Sequence, residues 1–167
     1  MKRSASTLIE IIFYFAILGI LLLAAMTFAL QILSVNRLSQ NSYELQSAHD
    51  AAVYYLSTSI NRADAVNVEA STFDDDNGVL SLSMTDVSLS PTVFYLSDGD
   101  FLMQRGAEPA IQINSDDVQF SNLRFNHIDV NKAPDQIVVD AFLQPANTII
   151  SNLQLSSTLH VSLSLRQ

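Results

Sequence analysis

The sequence predicts an α+β protein, with one long N-terminal helix followed by a β-rich head. Three observations carry this. From Ile11 to Leu33 there are 23 residues without a charge. From Leu38 to Ala63 apolar residues recur at intervals built from three and four. Beyond Ala65 the pattern changes to period two and is punctuated by turn signals. A long helix followed by a run of strands defines the α+β class.

Within Ile11–Leu33 only Tyr14, Thr27 and Gln31 bring polar groups. At about 1.5 Å per residue a helix of this length reaches roughly 35 Å, enough to cross a bilayer core. A secretory signal has a shorter apolar region followed by a small-residue cleavage site. Here Ala24-Ala25-Met26 is embedded in apolar sequence rather than following it, so the segment reads as a retained span. Lys2 and Arg3 precede the span, and the next cations after it are Arg37 and Arg62. This bias favours a cytoplasmic N-terminus and places the acidic remainder outside the cytoplasmic membrane. Glu10 stands at the membrane-entry end. Taken alone, it reads as a first-turn acid favoured by the helix dipole and snorkelling to the headgroups.

The helix is expected to continue past the span. Leu38, Leu45, Ala52, Leu56, Ile60 and Ala63 form an apolar stripe, and polar residues such as Gln40, Glu44, Asp50 and Arg62 occupy much of the rest. Neither Pro nor Gly occurs between Ile20 and Asn77. A single helix from about Thr7 to Ala63 spans roughly 85 Å. The alternative is two helices broken near Ser34 to Asn36. Tyr54 and Tyr55 are expected to anchor the sheet on the helix.

Six to eight mainly antiparallel strands are expected after the helix. Val66, Val68 and Ala70 alternate with polar residues, and Asp74-Asp75-Asp76-Asn77-Gly78 ends in an Asn-Gly suited to a tight hairpin. Val79 to Met84 follows. Thr92 to Leu96 and Phe101 to Gln104 flank a second hairpin signal, Ser97-Asp98-Gly99-Asp100. Ala110 to Ile113, Val118 to His127, Gln136 to Leu143 and Leu153 to Leu165 complete the set.

Composition limits the chemistry. The net charge is −9 with only 8 Lys and Arg, so no basic surface of the kind that neutralises phosphates can form, and no nucleic-acid partner is expected. Cysteine is absent, which removes disulfides, thiol nucleophiles and Cys-based metal sites. His49, His127 and His160 are widely separated, and no zinc-binding spacing or nucleophile elbow occurs. Neither a catalytic residue nor a cofactor site is assigned, and the chain is read as a non-enzyme. The weak candidates for a metal are Asp74, Asp76 and Asn77, whose oxygens could surround Ca²⁺. A solvated acidic turn is the competing reading, because the EF-hand spacing and its terminal Glu are missing.

The run Ser6-Thr7-Leu8-Ile9-Glu10 behind the basic leader Met1-Lys2-Arg3-Ser4-Ala5 resembles the processing signal of type IV prepilins. In that family a small residue precedes the cut and the mature chain begins Phe-Thr-Leu-Ile-Glu. The resemblance implies cleavage between Ala5 and Ser6 by a prepilin peptidase, N-methylation of Ser6, and an assembly role for Glu10 as the fifth mature residue. Gly19 falls where the family often has a glycine. The sequence departs from the pattern at Ala5, where Gly is usual, at Ser6, where Phe is usual, and at Thr27, where many major pilins have Pro.

The order of helix and strands also resembles the pilin "ladle". It is most similar to the J-type minor pseudopilins of type II secretion and to related minor pilins. The similarity lies in the helix end around His49 to Val66, the Val93–Leu96 and Phe101–Arg105 hairpin, Val118 to Phe125, and Ile137 to Ala141. The implied organisation is a leader over residues 1–5, a transmembrane and assembly helix over 6–35, its amphipathic continuation over 36–65 and a β-rich head over 66–167.

The implied function is a structural filament subunit of a type IV pilus or type II secretion system. Its partners would be a prepilin peptidase, other pilins or pseudopilins, and an assembly platform with its ATPase, with membrane lipid before assembly. The chain would begin as a single-pass protein of the cytoplasmic (inner) membrane and end in a periplasmic or extracellular filament. The alternative is a membrane-anchored extracytoplasmic binding module that does not assemble.

Overall fold

A computed structural model describes residues 4–129, 134–146 and 155–165. Met1 to Arg3 of the leader, and Leu153 and Gln154 of the last predicted strand, lie outside the described residues. Helix α1 runs from Ser4 to Arg62, 59 residues without a break, so the two-helix alternative is not realised. The chain forms two compact units, Met1–Gln40 and Asn41–Gln167.

The first unit is the apolar front of α1. Its large side chains from Leu8 to Val35 are all more than half exposed, which the 23 uncharged residues demand of a helix with no protein around it. Two hydroxyls in this part are satisfied within the helix. Thr27 Oγ1 donates to Ala24 O at 2.9 Å and Ser34 Oγ to Gln31 O at 2.8 Å, so neither needs water.

In the second unit α1 buries one stripe, made of Leu45, Ala48, Ala52, Leu56 and Ile60. The steps of three and four residues stack these side chains on one face. The stripe continues into Ala63, where β1 (Ala63–Val66) follows the helix with no loop. Arg62 in the last turn complements the helix dipole. Leu56 and Ile60 are fully buried, each contributing about 1.5–3 kcal/mol of burial free energy. The alanines at 48 and 52 allow close approach. Tyr55 packs partly against the core, but Tyr54 is 63% exposed and corrects the expectation that both tyrosines anchor the sheet. Position 54 lies nearly opposite the stripe and points outward.

Among the described residues the head has eight strands in two sheets. The first contains β1, β2 (Leu80–Met84), β3 (Thr92–Ser97), β4 (Asp100–Arg105) and β5 (Ile111–Gln112) in sequential order. The second contains β6 (Val118–Ile128), β7 (Gln136–Pro145) and β8 (Ser157–Ser164). All these neighbours are antiparallel. Asp98 (φ 53°) and Gly99 (φ 91°) form the two-residue turn between β3 and β4, as the Asp-Gly pair predicts.

Two other expectations fail. Val68–Ala70 is a 3-10 turn rather than part of a strand. Asn77-Gly78 does not make a tight hairpin: the chain instead forms a loop closed by the Thr72–Val79 bridge, with Asp74 at φ 59°.

β6 carries a bulge. Val118 and Phe120 are buried, then Leu123 and Phe125, so the buried parity switches from even to odd. Asn122, at φ 52°, absorbs the extra residue where the β6–β7 register shifts. Without it the second half of β6 would turn its apolar side chains to solvent. Across the two sheets the rings of Phe94, Phe101 and Phe120 form a row, with centroids 5.9 and 5.3 Å apart. They join β3, β4 and β6 in one hydrophobic core.

Candidate functional site

The residues to which the sequence assigns a processing and assembly role lie in the first turns of α1. Ala5 and Ser6 fall in its opening turn, so the Ala5–Ser6 peptide bond is helical in this structure. The leading N–H groups of a helix have no partner within it, which makes the first turn the easiest to open. Glu10 is exposed, and the apolar side chains around it, Ile9, Ile11 and Ile12, are 54–61% exposed. Among the described residues, α1 is the one helix long and apolar enough to cross a membrane, and its most apolar window has nothing packed over it. The helix opens at Ser4 and carries no acidic residue in its first turn, so Glu10 lies beyond the reach of the helix N-terminus, which corrects its reading as a first-turn acid.

The acidic loop is arranged for docking. Asp75 Oδ1 accepts from Asn77 N at 2.8 Å, and Asp76 Oδ1 accepts from an Arg124 guanidinium nitrogen at 2.6 Å. Asp74 N donates to Phe125 O at 3.0 Å, and Gly78 N donates to Leu123 O at 2.8 Å. Asn77 forms a parallel bridge with Leu123. A Cβ on Gly78 would lie 2.9 Å from Leu123 O, so glycine is required by close approach rather than by a left-handed turn. The loop lies along the outer edge of β6 beside the bulge. Asp74, Asp76 and Asn77 are therefore tied into that contact, and among the described residues no group of three His, Asp or Glu side chains is placed to hold a metal ion.

Each histidine stands beside one aspartate. His160 Nδ1 lies 2.5 Å from Asp140, His49 Nδ1 3.4 Å from Asp50, and His127 Nε2 3.3 Å from Asp135. The three pairs are on separate elements, and none includes a nucleophile. His127 also stacks on Phe73, which links the acidic-loop segment to β6.

Sequence reasoning missed Asn114. This residue is 5% exposed in the loop between β5 and β6. Its Oδ1 accepts from Phe101 N at 2.7 Å, and its Nδ2 donates to Val118 O at 2.6 Å. The next residue, Ser115, donates from Oγ to Glu44 of α1 at 3.3 Å. The buried amide thus stitches β4 to the start of β6. One polar residue in a loop gives no periodic signal, so nothing in the sequence marks it.

Comparison of the chain with family models, curated proteins and solved structures gives no significant match.

Proposed function

We propose that this chain is a structural subunit of a type IV pilin-like filament, a minor pilin or pseudopilin that assembles through α1. The observation that carries the reading is one continuous helix with two chemically different halves. Its front is a bare apolar rod opened by the Ser6–Glu10 run, and its rear buries a narrow stripe in a β-rich head. A bilayer satisfies the front half before assembly, and a bundle of like helices satisfies it afterwards.

The chemistry of Glu10 follows from burial. In a water-free helix bundle a lone carboxylate is costly, and so is a free α-amino group. Cleavage after Ala5 creates an amine at Ser6. Setting Glu10 of one subunit against the Ser6 amine of its neighbour neutralises both charges and fixes the axial stagger between them. A membrane anchor that never assembles has no need of the Ser6–Glu10 run.

The test begins with intact mass after expression with and without a prepilin peptidase. The expected product lacks Met1 to Ala5, with or without an added methyl. A full-length mass beside an active peptidase would overturn the processing step and favour a membrane-anchored binding module. For the processed protein, Glu10→Ala is expected to leave membrane insertion intact while filament incorporation drops. Normal incorporation of that variant would refute the charge-pairing role.

A further inference from the structure

The two sheets treat their edges differently. On β6 the outward backbone groups are taken up: Phe120 N donates to Gly99 O at 2.8 Å, and Phe125 O and Leu123 O accept from Asp74 N and Gly78 N. The first sheet ends on short strands, β1 with 4 residues and β5 with 2. β8 is different. It has 8 residues and pairs with β7 in unbroken register from Gln136–Ser164 to Leu143–Ser157. It contains no Pro, Lys, Arg or bulge, the devices by which edge strands are usually protected.

The alternation of the ladder shows which groups β8 presents outward. Leu165 N donates to Asp135 O at 2.9 Å, so the odd-numbered residues turn their N–H and C=O toward β7. Thr158, His160, Ser162 and Ser164 then direct theirs away from the sheet. Among the described residues no backbone hydrogen bond reaches these groups. On the core side Leu159 is buried, while Val161 and Leu163 pack against the core and stay partly exposed. Among the described residues the edge is thus unpaired along its backbone, and its apolar face keeps some exposure.

The sequence of this strand is self-complementary. Placed antiparallel to a second copy about a two-fold through Val161, it sets Val161 against Val161 and Leu159 against Leu163. It also sets His160 against Ser162 and Thr158 against Ser164. The even-numbered pairs are the ones whose backbone groups face the partner, so the register gives about eight hydrogen bonds, two for each of four pairs. The apolar pairs extend the core face across the junction. No charged side chain lies on β8, and His160 is already held by Asp140 of its own chain.

We infer that the β8 edge is a homotypic docking surface, on which the head pairs with the β8 strand of a second copy to make one continuous six-stranded sheet. The two-fold contact closes on itself, and it is therefore separate from the head-to-tail repeat that propagates a filament. It does not depend on the proposed processing or on Glu10.

The absence of cysteine makes the test direct. The central Val161 pair lies between hydrogen-bonded pairs, where opposed Cα atoms are about 4.5 Å apart, within disulfide reach. Val161→Cys in the full chain, in detergent and under mild oxidation, is expected to give a disulfide-linked dimer at least about tenfold faster than Val87→Cys. The control residue is 85% exposed and reports random collision. Ser162→Lys in the Val161→Cys background is expected to abolish the difference, because it puts an edge-blocking charge at the junction without altering the β7 ladder. Light scattering on the cysteine-free chain is expected to show a doubled protein mass that Ser162→Lys returns to one chain. Equal cross-linking at 161 and 87 would overturn the inference, as would a protein mass of one chain at every concentration tested.

Discussion

Replacing Asn114 by alanine tests how the two sheets are joined. The side chain answers two backbone groups of buried residues, Phe101 N at 2.7 Å and Val118 O at 2.6 Å. Phe101 is fully buried and Val118 is 1% exposed, so water does not readily replace the amide. A buried backbone group left unpaired costs about 1–3 kcal/mol, and two groups together give about 2–6 kcal/mol. The longer contacts, to Ser115 O at 3.3 Å and Asp100 Oδ1 at 3.4 Å, add little.

Head unfolding in urea, followed by tyrosine fluorescence and near-ultraviolet circular dichroism in detergent, measures the loss. With a slope of about 2 kcal/mol per molar urea, the midpoint is expected to fall by about 1–3 M. Asn114→Asp keeps the acceptor for Phe101 N but removes the donor to Val118 O and introduces a buried charge. It is therefore also expected to destabilise the head. A shift below about 0.25 M for Asn114→Ala would refute the claim that this amide holds β4 to β6.

Two further perturbations bear on the far end of the first sheet. Gly106 has φ +52°, and a Cβ there would stand 2.4 Å from Ser88 O. Gly106→Ala is expected to cost about 2–4 kcal/mol in the same unfolding assay, from left-handed strain together with a backbone clash. Asp86 accepts from both Ser88 Oγ and Ser88 N. These bonds, the side-chain one first, hold its carboxyl below the ordinary aspartate value of 3.8. A depressed carboxyl stabilises the fold above its unfolded value, and that contribution is lost as pH falls through the folded value. The Ser88 amide resonance is expected to titrate with a midpoint below 3.8, and Asp86→Asn to remove the titration; a midpoint at or above that value would contradict the two hydrogen bonds from Ser88.

Much of the framework was legible because it rests on local regularity. The length and continuity of α1 follow from uncharged sequence, helical spacing and the lack of breakers. The β3–β4 hairpin follows from Asp98-Gly99, whose residues accept positive φ with little strain. β7 follows from strict alternation of Ile137, Val139, Ala141 and Leu143, every one of them buried. Ala5, Ser6 and Glu10 belong to a short local pattern, and α1 holds all three within its first two turns. Their roles are matters for the peptidase and filament experiments.

Only the tertiary structure decided the rest, because those features depend on distant contacts. Asn77-Gly78 has the composition of a tight hairpin, but hydrogen bonds to Leu123 and Phe125 hold the loop open against β6. Asn122 reads as an ordinary polar strand residue until the register with β7 requires an extra one. Tyr54 and Tyr55 are neighbours in sequence, yet the direction of the buried stripe brings one against the core and leaves the other outside. The division into two sheets, the buried amide of Asn114 and the open edge of β8 have the same origin. Sequence periodicity records which face of an element is apolar, whereas the partner of each face and each edge is set only when the chain closes on itself.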